Sequence, residues 1–437
     1  MMYEVPLRPL SDCGKIITGK TPSSKVDGAF GAGTLFVTPR DLDSRKYVTS
    51  TERELSSVGV DSVKKNVVPA NSVLVSCIGS DMGKVALIKS DAVTNQQINS
   101  IIVDTENHNP EYVYYALLPL KNELKNAAGG TTMPILNKTD FGKFEIPLPE
   151  LEAQNEIVRI ITCLDSKISN NTAMNATLEK IAQRIFKSWF VDFDPVKANA
   201  EGLPFDGLSP EIQALFPNEF EESELGMIPK GWEVDTLQSQ IDILNGYAFK
   251  SKDYSNEGIF VLRTKNFESG IVKKRADDVL LPNEFSMSHE KYLCKPFDYH
   301  LVMVGASIGD RGLIFEHQLP ALRNQNMWCF RAKSESILSQ YYIKYLLDSL
   351  VESRLGMASG SAREFFRKSD FGEIKTVFPD EKLLNKYNET IKPILERIST
   401  NEAQIETLTK IRDKLLPRLI SGKITIQKAE ELLEEAS

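Results

Sequence analysis

The residues best equipped for chemistry in this chain are amides, hydroxyls and cations that fall into two sets. The first comprises Lys20, Thr21, Arg40, Asp41, Ser80, Lys84, Asn95, Gln96, Gln97, Thr131 and Thr132. The second comprises Asn245, Tyr247, Lys250, Arg263, Lys265, Asn266, Arg311, Arg323, Asn324, Gln325, Ser361 and Arg363. Arg and Lys suit phosphates and guanine edges, and Asn and Gln can form paired hydrogen bonds with adenine. Taken singly, each residue reads equally well as a solvated or locally bonded loop residue. As two sets at matching points of the chain, they predict two surfaces that read polar ligands.

Motifs for covalent chemistry are missing. Gly79-Ser80-Asp81-Met82-Gly83-Lys84-Val85 resembles a phosphate loop, but it has three residues between the glycines and Val where Ser or Thr should hold magnesium. Its counterpart, Gly305–Gly312, has no Lys. Both read as turns between strands, and Gly28–Gly33 lacks the strand-turn-helix frame of a nucleotide loop. None of the four histidines (His108, His289, His300, His317) sits in a metal-binding pattern. His300, beside a predicted strand, reads as a satisfied structural residue. Five scattered cysteines include no CxxC pair, which fits a reducing cytoplasm and argues against structural zinc. Asp140 and Asp370 precede Phe-Gly, yet read as turns into a final strand. The chain is expected to be non-catalytic, with no metal and no cofactor of its own.

The elements that must position these residues come twice. Asn95-Gln96 recurs as Asn324-Gln325, Gly130-Thr131 as Gly360-Ser361, and Asp140-Phe141-Gly142 as Asp370-Phe371-Gly372. Leu164, Ile168, Asn171 and Leu178 return as Ile394, Ile398, Asn401 and Leu408. The offset is 229 or 230 throughout, far above solenoid periods of roughly 20–50 residues. Two globular modules are predicted, residues 1–150 and 231–380. β-Branched runs broken by Gly, Asp and Asn predict strands at Leu35–Pro39, Ser72–Ile78, Val85–Lys89 and Ser100–Val103, then a helix over Glu111–Leu124 and a strand at Phe144–Pro149. The second module repeats this with Ile259–Arg263, Tyr299–Val304, Leu313–Glu316, Trp328–Ala332, helix Ser339–Ser353 and strand Ile374–Pro379.

Each module runs into a helix, over residues 151–193 and 381–421. Apolar residues alternate at spacings of three and four from Ile157 to Trp189 and from Tyr387 to Leu419, the seam of a coiled coil. Asn171 and Asn401 occupy equivalent seam positions and are expected to set its register. Pro393 is expected to kink the second helix or begin its regular part, and Pro417 to disturb its last turn. Residues 194–230, rich in Pro and acidic side chains, read as a linker or an ordered irregular crossover. Residues 422–437 form a polar tail, helical around Gln427–Glu435. The fold class is α+β.

The net charge is −8. Residues 151–230 hold 7 Lys+Arg against 13 Asp+Glu, so most of the surplus is in the crossover and the modules are close to neutral. Net charge therefore neither supports nor excludes DNA binding. The apolar runs are strand-length, so no membrane span is expected, and the start lacks the pattern of a signal peptide.

Three segments carry a family resemblance. Arg184-Ile185-Phe186-Lys187-Ser188-Trp189-Phe190-Val191-Asp192-Phe193-Asp194-Pro195 resembles the central conserved region of type I restriction-modification specificity subunits. Ile228-Pro229-Lys230-Gly231-Trp232-Glu233-Val234 and Leu416-Pro417-Arg418-Leu419-Ile420-Ser421-Gly422-Lys423-Ile424 resemble that family too, and its module-helix-module-helix plan covers nearly the whole chain. The resemblance implies that each module is a target recognition domain for half of a bipartite double-stranded DNA site. It implies antiparallel pairing of the helices, docking of two modification (methyltransferase) subunits, and association of restriction (translocase and nuclease) subunits. S-adenosylmethionine, ATP and Mg are then expected on those partners. Trp189, Phe190 and Phe193, at a helix end, are candidates for anchoring a partner, the alternative being that they pack on the second module. A helix over residues 157–189 spans about 50 Å, or roughly 14 base pairs, enough to separate two half-sites. The competing readings are a coiled-coil adaptor whose modules bind protein, and an enzyme with an unfamiliar site.

Overall fold

The computed structural model describes residues 5–43, 45–127, 135–357 and 368–434. The chain divides into two compact units, Met1–Ser169 with Glu406–Ser437, and Asn170–Ile405. Two 40-residue helices, Leu151–Phe190 and Glu381–Ile420, each contribute a part to either unit.

In the first unit a five-stranded sheet has Gly14–Thr18 at one edge, then Ile98–Val103, Val73–Ser76, Val85–Ile88 and Tyr47–Val48. A second sheet contains Arg53–Leu55, Phe30–Val37, Ala92–Thr94 and Val67–Val68, and Leu7–Pro9 pairs with Glu145–Pro147. Val73–Ser76 and Val85–Ile88 are buried along their length because both faces are covered. Val73, Val75 and Leu87 pack with Tyr112, Ile157, Ile161 and Leu415, whereas Leu74, Ala86 and Ile88 pack with Val37 and Ala92 of the second sheet.

The second unit repeats the plan. Its main sheet runs Ile241–Asn245, Met327–Ala332, Tyr299–Val302, Arg311–Leu313, Gly270–Val272 and Phe267–Glu268. Leu280–Leu281, Ile259–Leu262 and Ala321–Arg323 form the second sheet, and Glu233–Thr236 pairs with Lys375–Phe378. The parallel pairs also recur: Phe30–Val37 with Ala92–Thr94 corresponds to Ile259–Leu262 with Ala321–Arg323.

The long helices pair antiparallel within each unit. In the first, Arg412 Nη1 donates to Asp165 Oδ1 at 3.0 Å, and Leu415 and Leu419 are buried in the core. In the second, Asn401 is fully buried and donates to Asn175 Oδ1 at 2.8 Å, while Asn171 donates to Gln404 Oε1 at 3.0 Å. The buried amide pair is thus Asn401 with Asn175. Asn171 is the repeat equivalent of Asn401, but antiparallel neighbours are matched by position along the seam, not by repeat offset. Neither Pro393 nor Pro417 ends the second helix. Pro393 lies on the exposed side, where the carbonyl that loses its N–H partner can bond to water.

Trp189 and Phe190 are 4% and 8% exposed, in one core with Phe216, Trp232, Tyr342 and Tyr387. Phe193 packs on Trp232 with ring centroids 5.6 Å apart. Trp189 and Phe190 are thus core residues of the second unit, while Phe193 is half-buried between Trp232 and Phe220. The segment between the modules is an ordered crossover: helices Asp194–Glu201 and Pro210–Gln213, then a hairpin of Phe220–Ser223 and Gly226–Pro229. The amides of Asn199 and Gln213 bond each other at 2.9 Å and cap nearby carbonyls. The expected helix over Glu111–Leu124 is interrupted at Pro119 by a single 3₁₀ turn, Leu118–Leu120. The tail forms a helix at Ile426–Glu434. No helix among the described residues is long and apolar enough to cross a membrane.

Candidate nucleic-acid interface

Each unit brings its polar loops together with the same backbone clasp. In the first, Lys20 N donates to Thr94 O at 2.8 Å and Asn95 N to Val37 O at 3.0 Å. In the second, Tyr247 N donates to Arg323 O at 3.1 Å and Asn324 N to Leu262 O at 3.0 Å. A hairpin turn repeats as well: Gly83 N to Ser76 O at 2.8 Å matches Gly309 N to Val302 O at 2.9 Å. The glycine preceding Lys20 or Tyr247 makes the close approach possible. A Cβ on Gly19 would sit 2.1 Å from Asn95 O, and one on Gly246 would sit 1.7 Å from Asn324 O. Only glycine lets the two loops lie side by side.

In the first unit the clasped loops border a cleft of about 660 Å³ lined by Arg40, Arg53, Ser80, Asp81, Asn95 and Gln97 among others. Lys20, Arg40 and Gln96 are exposed, and neither Lys20 nor Arg40 has an ion pair among the described residues. Thr21 Oγ1 donates to Gln96 Oε1 at 2.7 Å, and Asn95 Nδ2 to Gln97 Oε1 at 2.9 Å. Lys84 ties the turn to the neighbouring loop through Asp81 at 3.0 Å and Pro39 O at 3.3 Å. Asp41 accepts from Thr38 N, Thr38 Oγ1 and Glu52 N, so it shapes its loop and is not free to read a base. Arg53 lies over the rings of Phe30 and Phe36, 4.5 and 5.3 Å from their centroids. Arg53 pairs with Phe36 where the second unit sets Val279 against Val261, so no polar counterpart in the repeat points to it.

The second unit reuses the framework with different side chains. Asn245, Tyr247, Lys250 and Gln325 are exposed and Asn324 is half-buried. Tyr247 is the outer ring of an aromatic group, 4.7 Å from His289, 5.0 Å from Tyr292 and 5.1 Å from Phe249. Met287, in the segment that carries His289, is 80% exposed. His289 and Tyr292 are not legible as site residues, since only folding brings them against Tyr247. Four expected readers are occupied elsewhere. Arg323, 1% exposed, donates to the carbonyls of Asn245, Leu293 and Lys291. Asn266 is fully buried and bonds Asp278 and Lys273 O. Arg311 pairs with Asp348 and Glu352, and Lys265 with Asp277 and Asp278. Arg263 is half-buried with one guanidinium N–H on Asp277 O at 3.4 Å. Thr131, Thr132, Ser361 and Arg363 lie outside the described residues.

Two copies of one β-framework, each ending in a rigid clasp that carries exposed amides, cations and aromatics, define a two-module recognition protein. Residues 3–180 match the family model described as the type I restriction modification DNA specificity domain. Over nearly its whole length the chain is similar to type I restriction-modification specificity subunits. It is 27% identical to the MjaIX specificity subunit of Methanocaldococcus jannaschii, over 96% of this chain and 94% of that one. It is 26% identical to the HindI specificity subunit of Haemophilus influenzae, over 89% and 94%. The fold resembles the crystal structure of the type I restriction-modification system S subunit from M. genitalium, with a TM-score of 0.57 at 16% identity over 95% and 96% of the two chains.

Proposed function

We propose that this chain is the DNA sequence-specificity subunit of a type I restriction-modification complex, each module reading one half of a bipartite site. The repeated clasp carries this reading. The same hydrogen bonds hold Lys20 beside Asn95 in one unit and Tyr247 beside Asn324 in the other, so two frameworks of equal geometry display different chemistry. Exposed Lys20 and Arg40 supply phosphate and guanine contacts, and the amides of Asn95, Gln97, Asn324 and Gln325 supply hydrogen bonds to base edges. Tyr247 offers a face for stacking or for apolar contact with a thymine methyl.

The paired helices set the gap between half-sites and dock two methyltransferase subunits. Restriction subunits join that core. The chain works without catalysis of its own, in the cytoplasm, while S-adenosylmethionine, ATP and Mg serve the partner subunits. Retention of the complex on duplex DNA should fall steeply with added salt as phosphate contacts release counterions. Salt-insensitive retention, or none with any duplex, would favour an adaptor whose modules bind protein. Removing one matched heptad from each helix, residues 171–177 and 399–405, shortens the spacer by about 10 Å, or roughly three base pairs. The unspecified gap should shrink with it, and an unchanged gap would sink the ruler role.

A further inference from the structure

We propose that Cys294, His300 and Cys329, with Asp298 as the fourth ligand, form a zinc site inside the second module. His300 and Cys329 lie directly opposite each other on the adjacent strands Tyr299–Val302 and Met327–Ala332. Ligand atoms of Asp298, His300 and Cys329 all lie within 4.8 Å of one another. Cys294, on the preceding loop, lies beside this group with Sγ 3.5 Å from His300 Nε2. Two ligands on a tetrahedral zinc, with Zn–S near 2.3 Å and Zn–N near 2.0 Å, are separated by about 3.5 Å. All four side chains are buried. Among the described residues His300 Nδ1 has no hydrogen-bond partner, and at Nε2 the ring meets a thiol, a weak hydrogen-bonding group. An imidazole so placed is poorly repaid for its burial by hydrogen bonds.

The first module is an internal control. Its hydrogen bonds place Asn71 N on Ile88 O and Ile88 N on Ser72 O, as Phe297 N lies on Ile314 O and Ile314 N on Asp298 O. Its strand pair sets Leu74 opposite Ser100 where the second module sets His300 opposite Cys329. Val68 pairs with Ala92 where Cys294 N bonds Ala321 O. At these positions the framework therefore holds Val68, Ser72, Leu74 and Ser100 in one copy and Cys294, Asp298, His300 and Cys329 in the other. Four positions scattered over 36 residues all carry ligand types in the second copy; three of them bring their ligand atoms within 4.8 Å of one another, and Cys294 lies against His300.

The chemistry of the set selects the ion. Two sulphurs, an imidazole and a carboxylate suit zinc, whereas magnesium and calcium take oxygen ligands. The two thiol protons leave to solvent as the metal enters. Asp298 accepts from Arg331 through both oxygens and from Lys295 N. That uses three of about four lone pairs, leaving one to face the metal while Arg331 fixes the carboxylate from behind. Two thiolates, one carboxylate and a divalent ion leave one negative charge, which Arg331 balances. The same loop presents Lys291 O and Leu293 O to Arg323 and carries Tyr292 against Tyr247, so the ion would brace the recognition surface from beneath.

Zinc content of the full chain, purified without chelator and dialysed against excess zinc and then metal-free buffer, tests the site by inductively coupled plasma mass spectrometry. About one zinc per chain is expected, and cobalt taken up in its place should show thiolate-to-cobalt charge transfer. Cys329→Ser and Cys294→Val should each abolish the metal. The combined variant Cys294→Val, Asp298→Ser, His300→Leu, Cys329→Ser copies the first module's residues and should fold without zinc. A wild-type chain without zinc after loading, or zinc retained undiminished by the combined variant, would overturn the proposal. Should the single variants not fold, those two measurements still decide it.

Discussion

Gly246→Ala tests the clasp at a point where nothing but space forbids the substitution. The added Cβ would lie 1.7 Å from Asn324 O, whereas real Cβ contacts essentially never fall below 3.0 Å. The loop carrying Tyr247 must therefore withdraw by at least about 1.3 Å. That movement breaks Tyr247 N to Arg323 O and strains Arg323 Nε to Asn245 O, at 3.1 and 3.0 Å, while the strands beneath keep their ladder. Base contacts are worth about 1–3 kcal/mol each. Displacing one or two of them should weaken discrimination at one half-site by about 2–4 kcal/mol, or roughly 30- to 1,000-fold. The assay is methyl transfer by the complex with its modification subunits on duplexes in which either half-site is scrambled. Gly246→Ala should lose discrimination at one half-site only, and Gly19→Ala, with its Cβ 2.1 Å from Asn95 O, at the other. A folded Gly246→Ala chain that discriminates both half-sites as the wild type does would refute the clasp's role.

Replacing Asn401 by Leu leaves Asn175 buried against an apolar neighbour and should destabilise the second unit by about 1–3 kcal/mol, whereas adding Asn175→Leu should recover most of it; denaturant midpoints distinguish the two outcomes. Trp189→Ala opens the aromatic core and should lower stability by about 3–5 kcal/mol, seen as a lower melting temperature in the isolated chain, and a selective loss of partner binding with unchanged stability would contradict its burial. Lys344, 3% exposed, pairs with Glu179 and with Asp348 at 2.7 Å, so Lys344→Met should cost about 1–3 kcal/mol by removing the cation the two carboxylates share, with Arg311 left on Asp348. Burial alone would raise the Asp348 carboxyl, but Lys344 and Arg311 hold it below the usual range. Its contribution is therefore present above the unfolded value near 3.9 and is lost as pH falls through the lower folded value; acid titration of Lys344→Met should show that protection reduced, and an unchanged acid limb would refute it.

The parts legible in the sequence are those governed by periodicity. The strands Val85–Ile88 and Met327–Ala332 and both long helices follow from β-branched runs and from the alternation of three and four. Edge strands such as Gly14–Thr18 and Ile241–Asn245 were harder to see, because short half-exposed strands carry little pattern. The repeat correctly paired Asn95 with Asn324, but it could not say which side chains face outward. Arg323 looks like a base reader by type, yet its partners are three backbone carbonyls that no motif announces. The same blindness hid the Cys294, His300 and Cys329 cluster, whose members come from a loop and two strands and so lack a local spacing. Trp189 and Phe190 were ambiguous for a related reason: an aromatic helix end serves a core or an interface equally well until the crossover that covers it is placed.

The most direct measurement is to co-express this chain with a modification subunit and map every methylated adenine in the host DNA, with and without the chain. A two-part motif with a fixed unspecified gap, dependent on this chain, is the predicted result. Methylation that keeps its pattern when the chain is omitted, or a motif of a single uninterrupted block, would contradict two-module recognition.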